Sequence, residues 1–188
     1  SKNATLPILA ATILNNKKII IKNIPIVRDV ETMVVLLNTI GSSVKLNKKK
    51  KIIEIFNKKR LKTVAPYSLV KTMRAGVLVL GPLLAKYGSA KVSLPGGCSI
   101  GSRPIDLHLN ALKKMGANIK VKNGYILASV KNGLKGNLIK FPKISVGATQ
   151  NILIAACFSK GTTKLRNCAS EPEVQDLINF LKKLGCNI

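Results

Sequence analysis

Leu181-Lys182-Lys183-Leu184-Gly185-Cys186-Asn187-Ile188 has a near copy in the middle of the chain, Leu112-Lys113-Lys114-Met115-Gly116-Ala117-Asn118-Ile119. Each copy reads as the last turn of an amphipathic helix, a glycine stop and a turn toward a strand. Shifting the chain against itself by 144 residues reveals a further copy: Ala4-Thr5 meets Ala148-Thr149, Ile8-Leu9 meets Ile152-Leu153, and Asn23 meets Asn167. Leu37 then meets Leu181, and Gly41 meets Gly185. The glycine stops at Gly41, Gly116 and Gly185 mark units of about seventy residues, roughly 1–60, 61–132 and 133–188. Blocks of that period bury their apolar faces against one another, so the chain is read as one domain of three repeats.

Each unit reads helix, strand, helix, strand, strand. In the first, residues 6–14 form a short apolar helix with Pro7 in its first turn. Residues 18–22 are a strand. Asp29 opens a helix whose apolar face is Val30, Met33, Val34, Leu37 and Ile40. Residues 44–46 and 52–56 make a hairpin across Lys48-Lys49-Lys50-Lys51. In the second unit a helix over residues 68–85, broken near Gly81-Pro82, leads to a strand at 90–94. Ser102 is a helix cap with Pro104 just inside. A hairpin then turns at Asn123-Gly124. The third unit has a strand at 138–141, a helix at 147–158 and a strand at 163–167. Its second helix starts at a capping box in Ser170-Glu171-Pro172-Glu173. The fold class is therefore α/β, three βαβαββ-like units, with the third lacking its closing hairpin. That shortfall reads as a fragment of a longer protein.

The formal charge of +25 raises nucleic acid as a partner. Two features argue against it. Of 32 basic residues only Arg28, Arg60, Arg74, Arg103 and Arg166 are arginine, and lysine is spread through every segment rather than gathered on one face. Aromatic residues are 4%, too few to stack bases along a strand. No apolar run is long enough to span a bilayer, and no leader is evident, so a cytoplasmic protein is expected. Cys98, Cys157, Cys168 and Cys186 form no CxxC and no Cys/His cluster, so neither metal nor cofactor is expected. Cys157 reads as core, and His108, the only histidine, as structural.

One segment stands apart: Leu94-Pro95-Gly96-Gly97-Cys98-Ser99-Ile100-Gly101-Ser102-Arg103-Pro104. Pro95 and the glycines exclude regular helix or strand. Cys98 then rides on a loop with Arg103 nearby, where a cation would lower a thiol pKa and make it an acid, base or nucleophile. A free cysteine in a tight turn is the plain alternative.

Five motifs in order carry a resemblance: Lys2-Asn3-Ala4, Lys71-Thr72-Met73-Arg74-Ala75, the Pro95-Gly96-Gly97-Cys98 loop, Arg103-Pro104-Ile105-Asp106-Leu107, and Ser145-Val146-Gly147-Ala148-Thr149. Together they resemble the UDP-N-acetylglucosamine 1-carboxyvinyltransferases, the enolpyruvyl transferases of peptidoglycan synthesis. The resemblance covers the whole chain. It implies one domain of an inside-out α/β barrel, with helices within and sheets outside, and substrates in a cleft between two such domains. It implies transfer of the enolpyruvyl group of phosphoenolpyruvate to the 3′-hydroxyl of UDP-N-acetylglucosamine, with release of phosphate. Cys98 matches the family's proton donor, which fosfomycin alkylates.

Lys2, Asn3 and Arg103 match groups that hold phosphoenolpyruvate, together with Cys98. Arg74, Arg103, Pro104, Ile105, Asp106 and Leu107 match the nucleotide-sugar side, as do Lys143, Ser145, Val146 and Gly147. Independently, residues 145–147 precede a helix, whose free N–H groups favour anions. The family draws its general base and further arginines from the second domain, so this chain alone is expected to be inactive. The sister transferase acting on shikimate 3-phosphate is the nearest rival; the loop cysteine argues against it. A basic nucleic-acid module and a degenerate structural domain are the other readings.

Overall fold

Ser1 and Ser145 open two helices in the same way. Each hydroxyl accepts the backbone N–H three residues on, from Ala4 and from Ala148, at 3.3 Å. Each serine carbonyl accepts a threonine hydroxyl four residues on, Thr5 at 2.9 Å and Thr149 at 2.8 Å. Such a cap stabilises a helix start by about 1 kcal/mol. The repetition at one spacing shows that the sequence similarity extends to hydrogen bonds.

The structure is a computed structural model and describes residues 1–57, 60–95 and 105–188. The first stretch holds α1 (Lys2–Ala11), β1 (Ile19–Ile21), α2 (Arg28–Thr39), β2 (Ser42–Asn47) and β3 (Ile52–Asn57). Next come β4 (Val64–Ala65), α3 (Tyr67–Val70), a 3₁₀ segment (Arg74–Val79), α4 (Leu80–Tyr87) and β5 (Ser89–Ser93). They are followed by α5 (Asp106–Lys114), β6 (Asn118–Lys122) and β7 (Tyr125–Ser129). Last come β8 (Leu138–Lys140), α6 (Val146–Ala156), β9 (Lys164–Arg166) and α7 (Pro172–Lys183).

Among the described residues three sheets form, in orders β1-β3-β2, β4-β5-β7-β6 and β8-β9. The hairpin strands are antiparallel, while β4 with β5 and β8 with β9 are parallel crossovers through a helix. Left-handed glycines recur at Gly41 (φ 105°), Gly116 (φ 95°) and Gly185 (φ 96°), where each second helix ends. Asn123 and Gly124 both take positive φ, the geometry of a two-residue hairpin turn.

The helices hold the core. Leu9 and Ala10 in α1, Ile13 in the 3₁₀ turn after it (Thr12–Leu14), Leu83 and Leu84 in α4, and Ile152, Ile154 and Ala155 in α6 are fully buried and belong to one apolar cluster. The sheets flank it with one face. In β3, Ile53 and Ile55 are buried, while Phe56 between Ile55 and Asn57 is exposed. Polar side chains tie down the chain that follows α1, Asn57 from within the first unit and Lys86 from the second. Asn57 Nδ2 donates to the Thr12 and Asn15 carbonyls, and Lys86 Nζ donates to the Ile13 carbonyl at 2.8 Å and to Asn16 Oδ1 at 2.6 Å. Among the described residues no helix is long and apolar enough to cross a membrane.

Several local expectations are corrected. α1 begins at Lys2, so Pro7 lies inside the helix rather than in its first turn, and the Asn3 carbonyl has no i+4 donor. The helix expected over 68–85 stops at Val70 and resumes at Leu80, with the 3₁₀ segment between. Gly81 and Pro82 sit in the first turn of α4, where Pro costs nothing. The Gly81 N–H there is held by a residue of α6, Asn151 Oδ1, at 2.9 Å. The capping box at Ser170 does not form. Glu171 takes the cap position without a side-chain bond; Pro172 at the first helical position presets φ, and the Val174 N–H goes to the Glu171 carbonyl at 2.8 Å. The short strand β4 was not foreseen at all.

Candidate functional site

The N-terminal ends of α1 and α6 open onto one cavity of about 580 Å³. From α1 come Asn3, Leu6 and Pro7; from α6 and its approach come Lys143, Ser145, Val146, Gly147 and Gln150. Arg74 and Val77 of the 3₁₀ segment, Ile105 and His108 at the start of α5, Glu173 of α7, and Pro95 complete the wall. Among the described residues, two helix N-termini, Arg74 and Lys143 outweigh the carboxylate of Glu173, so the cavity favours anions. In α6 the Ala148 N–H is taken by Ser145 Oγ and the Thr149 N–H by the Ser145 carbonyl. The N–H groups of Val146 and Gly147 precede these and have no acceptor within the helix.

The cavity gathers Asn3, Arg74, Ile105, Lys143, Ser145, Val146 and Gly147, for which the resemblance implies substrate contacts and which lie up to 144 residues apart. It does not gather all of the candidates. Lys2 lies outside the wall, its Nζ 3.1 Å from Asp29 Oδ2 in a half-exposed pair. Such a pair is worth little, so the ammonium is free to turn toward an anion. Asp106 is exposed at the start of α5. Leu107 is buried one step round α5 and lines a neighbouring groove with Phe141 and Pro142. Cys98, Arg103 and Pro104, with the Ser102 cap, lie outside the described residues. Cys157 is part-buried at the end of α6, where burial and the neighbouring Cys186 push its thiol pKa up, so it is unreactive.

His108, read from the sequence as structural, is buried and bonded as that reading expects, and it also faces the cavity. It is only 7% exposed, yet it forms part of the cavity wall. Its Nδ1 lies 3.0 Å from Asn151 Nδ2. Burial lowers its pKa to about 4. The folded value lies below the ordinary 6.5, so the unfolded chain binds the proton more tightly. His108 thus leaves stability intact above pH 6.5 and removes it as pH falls toward 4. Urea unfolding is expected to show about 2 kcal/mol of loss between pH 7 and pH 5 that His108→Gln abolishes. An equal acid slope in both proteins would place the titration elsewhere.

A sequence profile of the family described as EPSP synthase (3-phosphoshikimate 1-carboxyvinyltransferase) matches residues 1–188. The chain belongs to this EPSP synthase family. Within the family its curated relatives carry the name expected from the motifs. The UDP-N-acetylglucosamine 1-carboxyvinyltransferase of Pelagibacter ubique (strain HTCC1062) is 63% identical over 188 residues, which is 100% of this chain and 45% of the relative. The enzyme of the same name from Endomicrobium trichonymphae is 48% identical over 188 residues and is covered to 44%. The chain thus spans less than half the length of these relatives. Among solved structures it is similar to the enolpyruvyl transferase NikO from Streptomyces tendae, with TM-score 0.85, 17% identity, and coverage of 98% of this chain and 43% of that one. It is also similar to EPSP synthase from Acinetobacter baumannii, with TM-score 0.72, 19% identity, and coverage of 93% and 41%. At such identities these structures speak for the fold, and the fold agrees with the α/β class read from the repeats.

Proposed function

We propose that the chain is the cysteine-loop domain of an enzyme that transfers the enolpyruvyl group of phosphoenolpyruvate to the 3′-hydroxyl of UDP-N-acetylglucosamine, releasing phosphate. The observation that carries the reading is the meeting of Asn3, Arg74, Lys143 and residues 145–147 at one anion-favouring cavity. The names of the relatives at 63% and 48% identity support the acceptor. In this reading residues 1–188 form a single domain of a two-domain protein, working in the cytoplasm in peptidoglycan synthesis. Nucleic acid and membrane are not among its partners, and no metal or cofactor takes part.

The diphosphate lies against the N–H groups of Val146 and Gly147, with Lys143 and Arg74 neutralising its charge. Ile105, with Pro104, Asp106 and Leu107 on the same segment, meets the uracil side. Lys2, Asn3 and Arg103 hold the phosphate and carboxylate of phosphoenolpyruvate, and Cys98 delivers a proton to its methylene carbon. The other domain supplies the base that takes the proton from the sugar hydroxyl, and its closure excludes water.

The family profile is named for the shikimate 3-phosphate enzyme, which makes that acceptor the second reading. An acceptor assay on the intact protein separates the two. Phosphate release from phosphoenolpyruvate is expected with UDP-N-acetylglucosamine and at least ~100-fold more slowly with shikimate 3-phosphate, since a site built for one acceptor's polar groups rejects a ligand lacking them by large factors. The reverse preference would overturn the proposal.

A further inference from the structure

We infer that the Nε2–H of His108, held in that tautomer by Asn151, donates to a phosphate oxygen of a nucleotide-sugar diphosphate seated at the N-terminus of α6. The inference rests on the nucleotide-sugar reading above and adds a residue to it that the sequence reading had set aside as structural.

The tautomer follows from backbone groups whose roles cannot change. The Gly81 N–H can only donate, and it points at Asn151 Oδ1, 2.9 Å away. The Val77 carbonyl can only accept, and it lies 3.2 Å from Asn151 Nδ2. The amide orientation is therefore fixed, with oxygen toward α4 and nitrogen toward the 3₁₀ segment. The same Nδ2 lies 3.0 Å from His108 Nδ1, which must be the acceptor. A neutral ring that accepts at Nδ1 carries its proton on Nε2.

That proton has no hydrogen-bond partner among the described residues. The Nε2 edge lies beside Gly147; a Cβ added there would stand 3.5 Å from it. With hydrogen in place of a side chain, the ring edge and the free N–H groups of the first α6 turn share one stretch of cavity wall. A second buried donor is present there: Gln150 lines the cavity, is 4% exposed, and its Nε2 has no partner. Two side chains, each more than nine-tenths buried and each with an N–H that has no partner among the described residues, thus accompany the helix end. Donors gathered in this way, with no partner among the described residues for the His108 and Gln150 N–H groups, fit an oxygen-rich anion. Phosphate oxygens accept several donors at once. A neutral imidazole adds direction to the site, where Lys143 and Arg74 add charge.

The test uses the intact protein, with UDP and UDP-N-acetylglucosamine as probes. In ¹⁵N spectra of the histidine rings, the signals lost in His108→Gln are those of His108. They are expected to show a neutral ring protonated at Nε2, and UDP is expected to shift Nε2 more than Nδ1. A ring protonated at Nδ1, or an Nε2 signal unmoved by saturating UDP, overturns the inference. His108→Phe keeps the ring volume and removes the donor. It is expected to raise the KM for UDP-N-acetylglucosamine roughly 10- to 100-fold, the worth of a hydrogen bond to a charged group. It should leave the KM for phosphoenolpyruvate unchanged, and His108→Gln, which keeps an N–H donor, should recover most of the loss. Equal KM values in wild type and His108→Phe overturn the inference while leaving the proposed function standing. A wild-type protein that neither binds UDP nor uses its sugar brings down both.

Discussion

Gly81→Ala is expected to lower the unfolding free energy of the chain by roughly 3 kcal/mol or more, through overpacking and the loss of a buried hydrogen-bond network. Helix propensity alone points the other way. Alanine in place of glycine inside an exposed helix gains about 1 kcal/mol. The sign is decided by what the new methyl meets. A Cβ at Gly81 would stand 2.6 Å from the Asn151 backbone carbonyl oxygen and closer still to its side-chain oxygen. The side chain could turn away, but only by abandoning the Gly81 N–H, the Val77 carbonyl and His108 together. The backbone oxygen cannot turn at all, so α4 and α6 must separate. Both helices lie in the centre of the core, where Leu80, Leu83 and Ile152 are fully buried. Urea denaturation checks the result, and an unchanged or raised midpoint would show that the helices part without cost. Loss of the Asn151 contact would also release the His108 ring, so the variant links packing to the anion-favouring wall.

How much of this was legible in the sequence depended on distance along the chain. The glycine stops, the helix faces and the Asn123-Gly124 turn rest on neighbours within a few residues, and the structure has them. The 3.6-residue period of α7 was readable, but its start was not. The cap falls on Glu171, one residue past the expected serine, with Pro172 presetting φ at the first helical position. The demand for glycine at position 81 comes from Asn151, 70 residues away, and no local rule could find it. β4 is two residues long and exists only through its pairing with β5. The same holds for the site. Ser145, Val146 and Gly147 were legible as a helix start, so their place on the cavity wall follows from local sequence. Leu107 was assigned by its position in a motif, yet adjacent residues on a helix point about 100° apart, and its neighbour His108 took the cavity side. A lone histidine on an apolar face gave no signal of its own. The signal was in the pairing with Asn151, a polar residue buried in the largely apolar helix α6.

Cys98→Ser in the intact protein is expected to cut turnover by roughly 100-fold or more, the range that a positioned proton donor contributes. The two side chains differ by one atom and fill nearly the same space, so the change tests acidity rather than packing. A thiol ionises near pH ~8.5, whereas a serine hydroxyl stays protonated throughout the working range. A weaker acid slows proton delivery to the methylene carbon while substrates still bind, so kcat should fall with the KM for UDP-N-acetylglucosamine held within a few-fold. Fosfomycin gives a second reading of the same atom. Intact mass after treatment should show one adduct, mapped to Cys98, formed faster when UDP-N-acetylglucosamine is present and absent from Cys98→Ser. Cys157 provides the internal control, since its raised thiol pKa should leave it unmodified. An adduct at Cys157 and none at Cys98, or a serine variant with undiminished turnover, would remove the loop cysteine from the chemistry. The anion-favouring cavity would then stand as a nucleotide-sugar site whose acid comes from elsewhere.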